Sequence, residues 1–260
     1  MPELLTGKPE IVEIGAVFRS HFKPFKARAR WPSGEERWLV VKPQRATPRN
    51  TVEHLFAEWC GYAVGAALGL PIPPHYLVEV TAEALRPLGP AFSDIIPGIA
   101  FATEFQSPHF KCSELGFPRE AQIRNLQSVS GMIVLDTLIW NNDREDDVIA
   151  VPVRGSSRFD LVLIDNTWIV FAREDDPSQI QGRYPRDWTL RRLAKGLEGL
   201  PPYVLAAGSL DIDSLRDTFA SAPQEFLASA PDTCANIAEA ITWRGEHVAQ
   251  ALERDRPPDI

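Results

Sequence analysis

Short runs of alternating apolar and polar residues fill the first part of the chain. The runs Ile11–Phe18, Lys26–Trp31 and Trp38–Pro43 follow the two-residue period of a pleated strand. Pro73–Val80 and Ile99–Phe105 continue the same strand-like pattern. The pattern therefore predicts a small β-sheet in the N-terminal part of the chain.

A helical period replaces this alternation at Thr51–Leu70, where apolar residues recur every three to four positions. Gly69 and Pro71 end that helix. The second half of the chain carries mostly helical patterns. One or two helices are predicted in Arg119–Trp140, and single helices in Trp188–Leu197, Asp211–Ala220, Pro223–Ala228 and Thr233–Leu252.

One pair of strands interrupts the helical half. Ile149–Val153 and Phe159–Ile164 are separated by a short segment that contains Gly155, and this spacing predicts a β-hairpin. An antiparallel hairpin brings its two ends side by side, so Asp143 before the first strand should face Asp165 after the second. Carboxylates gathered in this way repel each other unless a cation lies between them. Hard oxygen ligands of this kind, present in small number, suit a Mg²⁺ ion that is held together with substrate phosphates.

This stretch resembles the catalytic and metal-binding segments of the HipA-like kinases, which are related in fold to protein and phosphoinositide kinases. The matching residues are Gly131–Asp136, Asn141–Arg144 and Leu163–Asp165. The family pattern is an apolar helix, the motif N-x-D-R-H-x-x-N, a hairpin, and an apolar residue followed by Ile-Asp. The chain departs from it twice, with Glu145 in place of the histidine and Val148 in place of the metal-binding asparagine.

The resemblance implies a two-lobed α+β kinase-like fold, with a small sheet-plus-helix lobe over residues 1–106 and a larger, mainly helical lobe over residues 107–260. It makes Asp143 the catalytic aspartate. It makes Asp165 the magnesium-binding aspartate, aided by Asp146 or Asp147. It also places the polar stretch Arg173–Asp187 where kinases contact a protein substrate.

The nucleotide-binding candidates all lie in the first lobe, and they are Ser20, Lys23, Lys42, Glu58, Glu104 and Phe105. Lys42 closes an apolar strand, an uncommon place for a lysine unless it meets an anion or leaves the sheet edge into water. By resemblance it holds the α- and β-phosphates of ATP, and Glu58 orients it. Ser20 and Lys23 lie in a loop that either folds over phosphates or is an ordinary basic turn. Glu104 and Phe105 correspond to the hinge that meets adenine.

The resemblance thus predicts an ATP- and Mg²⁺-dependent kinase that phosphorylates Ser or Thr hydroxyls of a protein substrate. Two alternatives stay open. One is a catalytically weakened, nucleotide-binding pseudokinase that acts as a regulatory or partner-binding module, because Val148 cannot ligate a metal. The other is a small-molecule or phosphoinositide kinase. A regulatory partner protein is compatible with all of these functions.

Charge, cysteine content and the lack of long apolar runs indicate the binding partners and the compartment to expect. The net charge of −8 disfavours direct nucleic-acid binding and disfavours a membrane surface. The 3 cysteines lack metal-ligand spacing, and so sparse a set indicates reduced thiols of the cytoplasm. The N-terminus lacks the layout of a signal peptide, and no apolar run approaches the length of a membrane span. We therefore expect a cytoplasmic protein.

Overall fold

The computed structural model describes most of the chain in two compact units. The described residues are 8–18, 23–46, 51–112, 122–142, 144, 147–166, 174, 176–186, 188–194, 199–227, 233–258 and 260. Unit 1 combines Met1–Phe56, Pro73–Phe105 and Pro223–Ser229. Unit 2 combines Ala57–Ile72, Gln106–Ala222 and Ala230–Ile260. The domain boundary predicted after residue 106 stays a prediction.

Unit 1 is built on a closed five-stranded barrel with the strand order β1-β2-β3-β5-β4. The strands are β1 (Glu10–Val17), β2 (Phe25–Arg30), β3 (Glu36–Arg45), β4 (His75–Val80) and β5 (Ile95–Glu104). Neighbouring strands pair antiparallel except β1 and β4, which pair in parallel and close the ring. All five strands fall where the alternating pattern predicted them. The pattern did not predict the closure, because residues far apart in sequence make it.

The inside of the barrel is filled by alternate residues of its strands. Leu39 and Val41 of β3 are fully buried in this core, together with Val78 of β4 and Ala102 of β5. Because successive side chains of a strand point to opposite faces, Lys42 lies on the other face of β3 from Val41. The strand thus carries its lysine away from the apolar core.

Unit 2 contains a second, three-stranded sheet with the order β6-β7-β8. Its strands are β6 (Phe110–Lys111), β7 (Val148–Pro152) and β8 (Phe159–Leu163). β7 and β8 form the antiparallel hairpin that the sequence predicted, with Val148 opposite Leu163 at its open end. Gly155 takes a φ of 72° in the turn, a conformation that glycine adopts without steric cost.

The helices are α1 (Thr51–Ala67), α2 (Ala82–Leu85), α3 (Ser128–Ile139), α4 (Trp188–Leu193), α5 (Leu200–Gly208), α6 (Ile212–Ala220), α7 (Gln224–Leu227) and α8 (Thr233–Arg254). Every residue of α3 is buried, which makes it the central helix of unit 2. α5 was not predicted, because its two prolines suggest a break. They occupy the first turn, where no intrahelical N–H bond is lost. No helix of the described residues is long and apolar enough to cross a membrane.

Candidate active site

The segment that follows α3 carries the polar residues of the candidate site. Trp140 ends the helix in the left-handed conformation, with a φ of 61°, and its N–H bonds back to the Asp136 carbonyl. The N–H of the buried Asn141 bonds to the same carbonyl over 2.9 Å. The chain is thereby turned sharply at the helix end, and Asn142 lies at the surface just before the predicted catalytic position.

Arg144 ties this segment to the end of the hairpin. Its side chain is only 4% exposed and forms an ion pair of 2.6 Å with the Asp136 carboxylate. The same guanidinium donates to the backbone oxygens of Ile164 over 2.9 Å and Asp165 over 3.3 Å. It also donates to Oδ1 of Asn166 over 2.8 Å. One side chain therefore joins α3, the loop after it and the segment after β8.

The neighbours of Arg144 stabilise its charged form. Burial opposes the charged form, yet the Asp136 carboxylate, with Asp147 and Asp165 contributing, raises the pKa of Arg144 above its ordinary value. Burial also works to raise the pKa of the Asp136 carboxyl, and Arg144 and Asn141 work against that rise. Arg144 remains a cation throughout, so the loop is fixed by charge-assisted hydrogen bonds.

Asp147 and Asp165 both lie at the open end of the hairpin. The N–H of Ile164 donates to the Asp147 carbonyl over 2.9 Å, which sets Asp147 beside the residue that precedes Asp165. Asp165 has a φ of 51°, a conformation that non-glycine residues adopt uncommonly and that recurs at functional sites. The buried phenol of Tyr62 interacts electrostatically with both carboxylates. Burial raises the pKa of Tyr62, and the charges of Asp165 and Asp147 raise it further.

Val148 is part of the sheet. It is 1% exposed, it is the first residue of β7, and it lies opposite Leu163 of β8. Its methyl groups offer no metal ligand from this position. The departure from the family motif is thus built into the apolar core of the hairpin.

Glu58 of α1 contacts the segment after Asp165. Its side chain is fully buried, and Oε2 accepts a hydrogen bond of 3.3 Å from the N–H of Asn166. Gly61, one helical turn later, permits this approach. A Cβ at that position would lie 2.3 Å from the Asn166 carbonyl oxygen. The helix therefore fixes the backbone of the predicted magnesium-binding segment.

The donor set at the hairpin end fits a magnesium ion that is shared with phosphates. No group of three or more His, Cys, Asp or Glu side chains in the described residues could hold a metal by itself. Asp147 and Asp165 supply two carboxylates, and Mg²⁺ is usually bound through one or two carboxylates plus substrate phosphates and water. These two residues would hold the ion only together with a nucleotide.

The other predicted residues divide between unit 1 and the undescribed part of the chain. Lys42 lies half-buried on β3, and the Lys23 amino group lies 3.0 Å from the Asp94 carboxylate. The N–H groups of Glu104 and Phe105 bond to carbonyls of unit 1 over 2.8 Å each. Any contact of these two with a base would use other atoms. The remaining candidates, Ser20, Asp143 and Asp146, lie outside the described residues.

The sequence did not assign roles to Asp136, Arg144 or Asn166. An aspartate inside a wholly apolar helix was the available signal for Asp136, because such a group is rarely buried unless it is paired. Arg144 was then its natural partner, eight residues further on. Asn166 carried no signal of its own, since an asparagine after a strand commonly marks a turn.

Solved structures define the class of fold. The chain aligns over 96% of its length with all of the Helicobacter pylori proinflammatory kinase CtkA, with a TM-score of 0.55 and 13% identity. It aligns over 96% of its length with 75% of a Golgi casein kinase, with a TM-score of 0.48 and 14% identity. A Rio2 kinase from Chaetomium thermophilum matches over 94% of this chain and 72% of its own, with a TM-score of 0.46 and 12% identity. The first of these confirms the predicted α+β kinase-like fold.

The family follows from the sequence profile. The profile described as HipA-like kinase matches residues 20–152, just over half of the chain. The chain belongs to the HipA-like kinase family, as the motifs around Asn141–Arg144 predicted, and kinase-type phosphotransfer is the activity of that class. No curated protein matches the chain significantly.

Proposed function

We propose that the protein is an ATP- and Mg²⁺-dependent kinase that transfers the γ-phosphate of ATP to a Ser or Thr hydroxyl of a protein. The observation that carries the proposal is the Arg144 network. It joins the residue next to the predicted catalytic Asp143 to the backbone of Asp165. Phosphoryl transfer depends on positioning and charge stabilisation more than on covalent chemistry by the protein. A buried arginine that fixes both segments meets that need.

In this proposal each residue has a limited task. Asp143 orients the acceptor hydroxyl and accepts its proton, while Asp147 and Asp165 hold Mg²⁺ together with the nucleotide phosphates. Mg²⁺, when bound, neutralises charge on the transferred phosphoryl group. Lys42 holds the α- and β-phosphates.

The Glu58–Asn166 hydrogen bond supports the same proposal. It fixes the backbone beside Asp165, so this residue would be pre-organised before a metal binds. A metal ligand held in this way loses less conformational freedom on binding.

The test is incubation with [γ-³²P]ATP and Mg²⁺, followed by phosphoamino-acid analysis of the labelled protein. We expect phosphoserine or phosphothreonine in the wild type and a loss of about a hundredfold in rate for Asp165→Asn, the cost of misplacing a catalytic group. Asp213→Asn removes one carboxylate from the exposed side of α6 and serves as the matched control. Absence of ATP binding in calorimetry at millimolar nucleotide would overturn the proposal.

The second candidate is a nucleotide-binding pseudokinase that regulates a partner protein. The buried position of Val148 favours it, because the family's amide ligand is missing from a site that the hairpin core now occupies. Val148→Asn distinguishes the two. A rise in transfer rate would assign the weakness to the lost ligand. Wild type and variant that both bind ATP but transfer no phosphate would establish the pseudokinase.

A further inference from the structure

A small cavity lies entirely within unit 2, and its lining includes Asn142 and Arg144, the sequence neighbours of the predicted catalytic Asp143. Its volume is about 110 Å³, several times the roughly 10–15 Å³ that can hold one water on the same measure. One wall comes from Asp136 and from the loop residues Asn141, Asn142 and Arg144. A second wall is the segment Gly182–Arg186. We call this space the arginine cavity.

The segment Gly182–Arg186 is fixed by hydrogen bonds to two helices. The N–H of Gly182 donates to Asp255 over 2.8 Å, and the Tyr184 hydroxyl donates to the Leu252 carbonyl over 2.6 Å. The N–H of Arg183 donates to the Thr137 hydroxyl of α3 over 3.0 Å. These bonds use the backbone and the tyrosine. The wall is therefore held in place without the arginine side chains.

The charge of the arginine cavity is unbalanced toward positive. Among the described residues that line it, the Asp136 carboxylate is paired with Arg144, and the two further cations are Arg183 and Arg186. Asp136 and the nearby Asp255 offset the charge of Arg183 only in part, since its pKa is still lowered. Nε of Arg183 is buried without a hydrogen-bond partner. Burial lowers the pKa of Arg183, and the charge of Arg186 lowers it further. The Cζ atom of Arg183 lies 5.0 Å from the centre of the Trp140 ring. A buried donor in such surroundings is stabilised when it meets an anion.

We propose that the arginine cavity binds an anionic group, a carboxylate or a phosphate, on the polypeptide that this kinase phosphorylates; the inference rests on the proposed function. Asn142 and Arg144 line the cavity and flank Asp143 in sequence, so the bound group would lie next to the hydroxyl to be phosphorylated. Planar guanidinium groups pair with carboxylate and phosphate through two parallel bonds. The protein would thus prefer acceptors with an acidic or phosphorylated residue near the Ser or Thr.

A polypeptide is favoured over a lipid headgroup as the source of the anion. The chain carries a net charge of −8, which opposes approach to an anionic membrane. The charge excess of the cavity is local and enclosed by two walls. It suits one anionic side chain more than a membrane surface.

The test measures binding apart from catalysis. Three peptides of equal length carry Ala at the acceptor position and phosphoserine, Asp or Asn on either side of it. Calorimetry then compares their affinities for the wild type and for the double variant Arg183→Gln/Arg186→Gln. The matched control is Arg154→Gln/Arg158→Gln, which removes the same charge at the exposed turn of the β7–β8 hairpin. Arg186→Gln alone changes an exposed residue, so its result does not depend on refolding.

We expect the phosphoserine and Asp peptides to bind the wild type and the control variant, and the Asn peptide to bind more weakly. The double variant should lose about tenfold or more in affinity for the anionic peptides, the loss expected for hydrogen bonds between charged groups. Equal affinities in wild type and double variant would overturn the inference. So would phosphoinositide vesicles that bind the arginines more tightly than the peptides. ATP affinity, measured in parallel, tests the proposed function separately. Binding of the anionic peptides without binding of ATP would refute the proposed function and leave the anion site in place.

Discussion

Replacing Arg144 by methionine should destabilise unit 2 more than most substitutions do. The guanidinium is 4% exposed and balances the equally buried Asp136 carboxylate. Methionine fills much of the space but leaves that carboxylate buried and without its cation. Removing one partner of a buried pair costs about 3–5 kcal/mol. On the scale of about 2–4 °C per kcal/mol for a chain of this size, the melting temperature should fall by roughly 10 °C.

A double-mutant cycle separates the ion pair from the loss of packing. Asp136→Asn removes the charge but keeps the shape, and in the Arg144→Met background it should restore part of the lost stability. Chemical denaturation of wild type, both single variants and the double variant gives the coupling free energy. We expect at least about 1.5 kcal/mol, within the range for residues that share one network. Stability losses that simply add would refute the view that the buried charge is the cause.

The pH dependence of the Arg144→Met variant provides an independent check. Burial raises the pKa of Asp136, and without Arg144 nothing of comparable strength opposes that rise. A carboxyl whose folded pKa exceeds its unfolded pKa binds more protons when folded, so stability falls as pH rises through that window. The variant should therefore gain stability as the pH is lowered from about 7 to about 5, whereas the double variant with Asp136→Asn should not.

Three further outcomes follow from single positions. Gly61→Ala should destabilise the protein and weaken Mg²⁺-ATP binding in calorimetry, because the new Cβ would lie 2.3 Å from a backbone oxygen. Gly65→Ala on the same helix is the control, and it should destabilise the protein far less, because its Cβ would lie 3.3 Å from a side chain. Lys42→Met should lower ATP affinity with an unchanged melting temperature, and unchanged affinity would show an ordinary edge lysine. A hydrogen bond from Arg45 lowers the pKa of the Asp94 carboxyl. This bond stabilises the folded protein at pH values above the ordinary aspartate pKa of about 3.9. That contribution is lost on acidification, so the stability difference between wild type and Arg45→Gln should shrink below about pH 4.

The elements that the sequence predicted well are those with a strong local period. Five strands, the hairpin and the long helices all follow from alternation or from a three-to-four-residue repeat. The helix α5 was missed because Pro201 and Pro202 suggest a break unless the helix start is known. The barrel closure was missed because Glu10 and Glu79, which make it, are 69 positions apart. Local patterns carry no information about which distant strands meet.

At the candidate site too, the features with a local sequence pattern were predicted, and those made by distant residues were not. Asp143, Asp165 and Lys42 were found because a motif and its spacing mark them, and their roles stay predictions. The contacts that fix the site were not found, because they join residues from different elements. Arg183 is the clearest case. The resemblance placed the whole polar stretch Arg173–Asp187 where kinases contact a protein substrate, but it marked no single residue there. Arg183 is distinguished by the cavity it lines and by the bonds that hold its backbone.

The buried position of Val148 bears on how catalysis could have been weakened. Arg144 is paired to Asp136 and Glu58 is bonded to the backbone after Asp165, although both arrangements bury charge at a cost. Beside these contacts, Val148 lies in the hairpin core at the position where the family motif has a metal-binding asparagine. The backbone of Asp147, one residue earlier, is held beside Ile164 by a hydrogen bond of 2.9 Å from the Ile164 N–H to the Asp147 carbonyl, which keeps this residue at the hairpin end. A metal bound there would meet a full negative charge where the family has a neutral amide. Metal affinity would then be preserved while repulsion of the γ-phosphate slows transfer, so Asp147→Asn should speed phosphoryl transfer at saturating Mg²⁺ although it weakens metal binding.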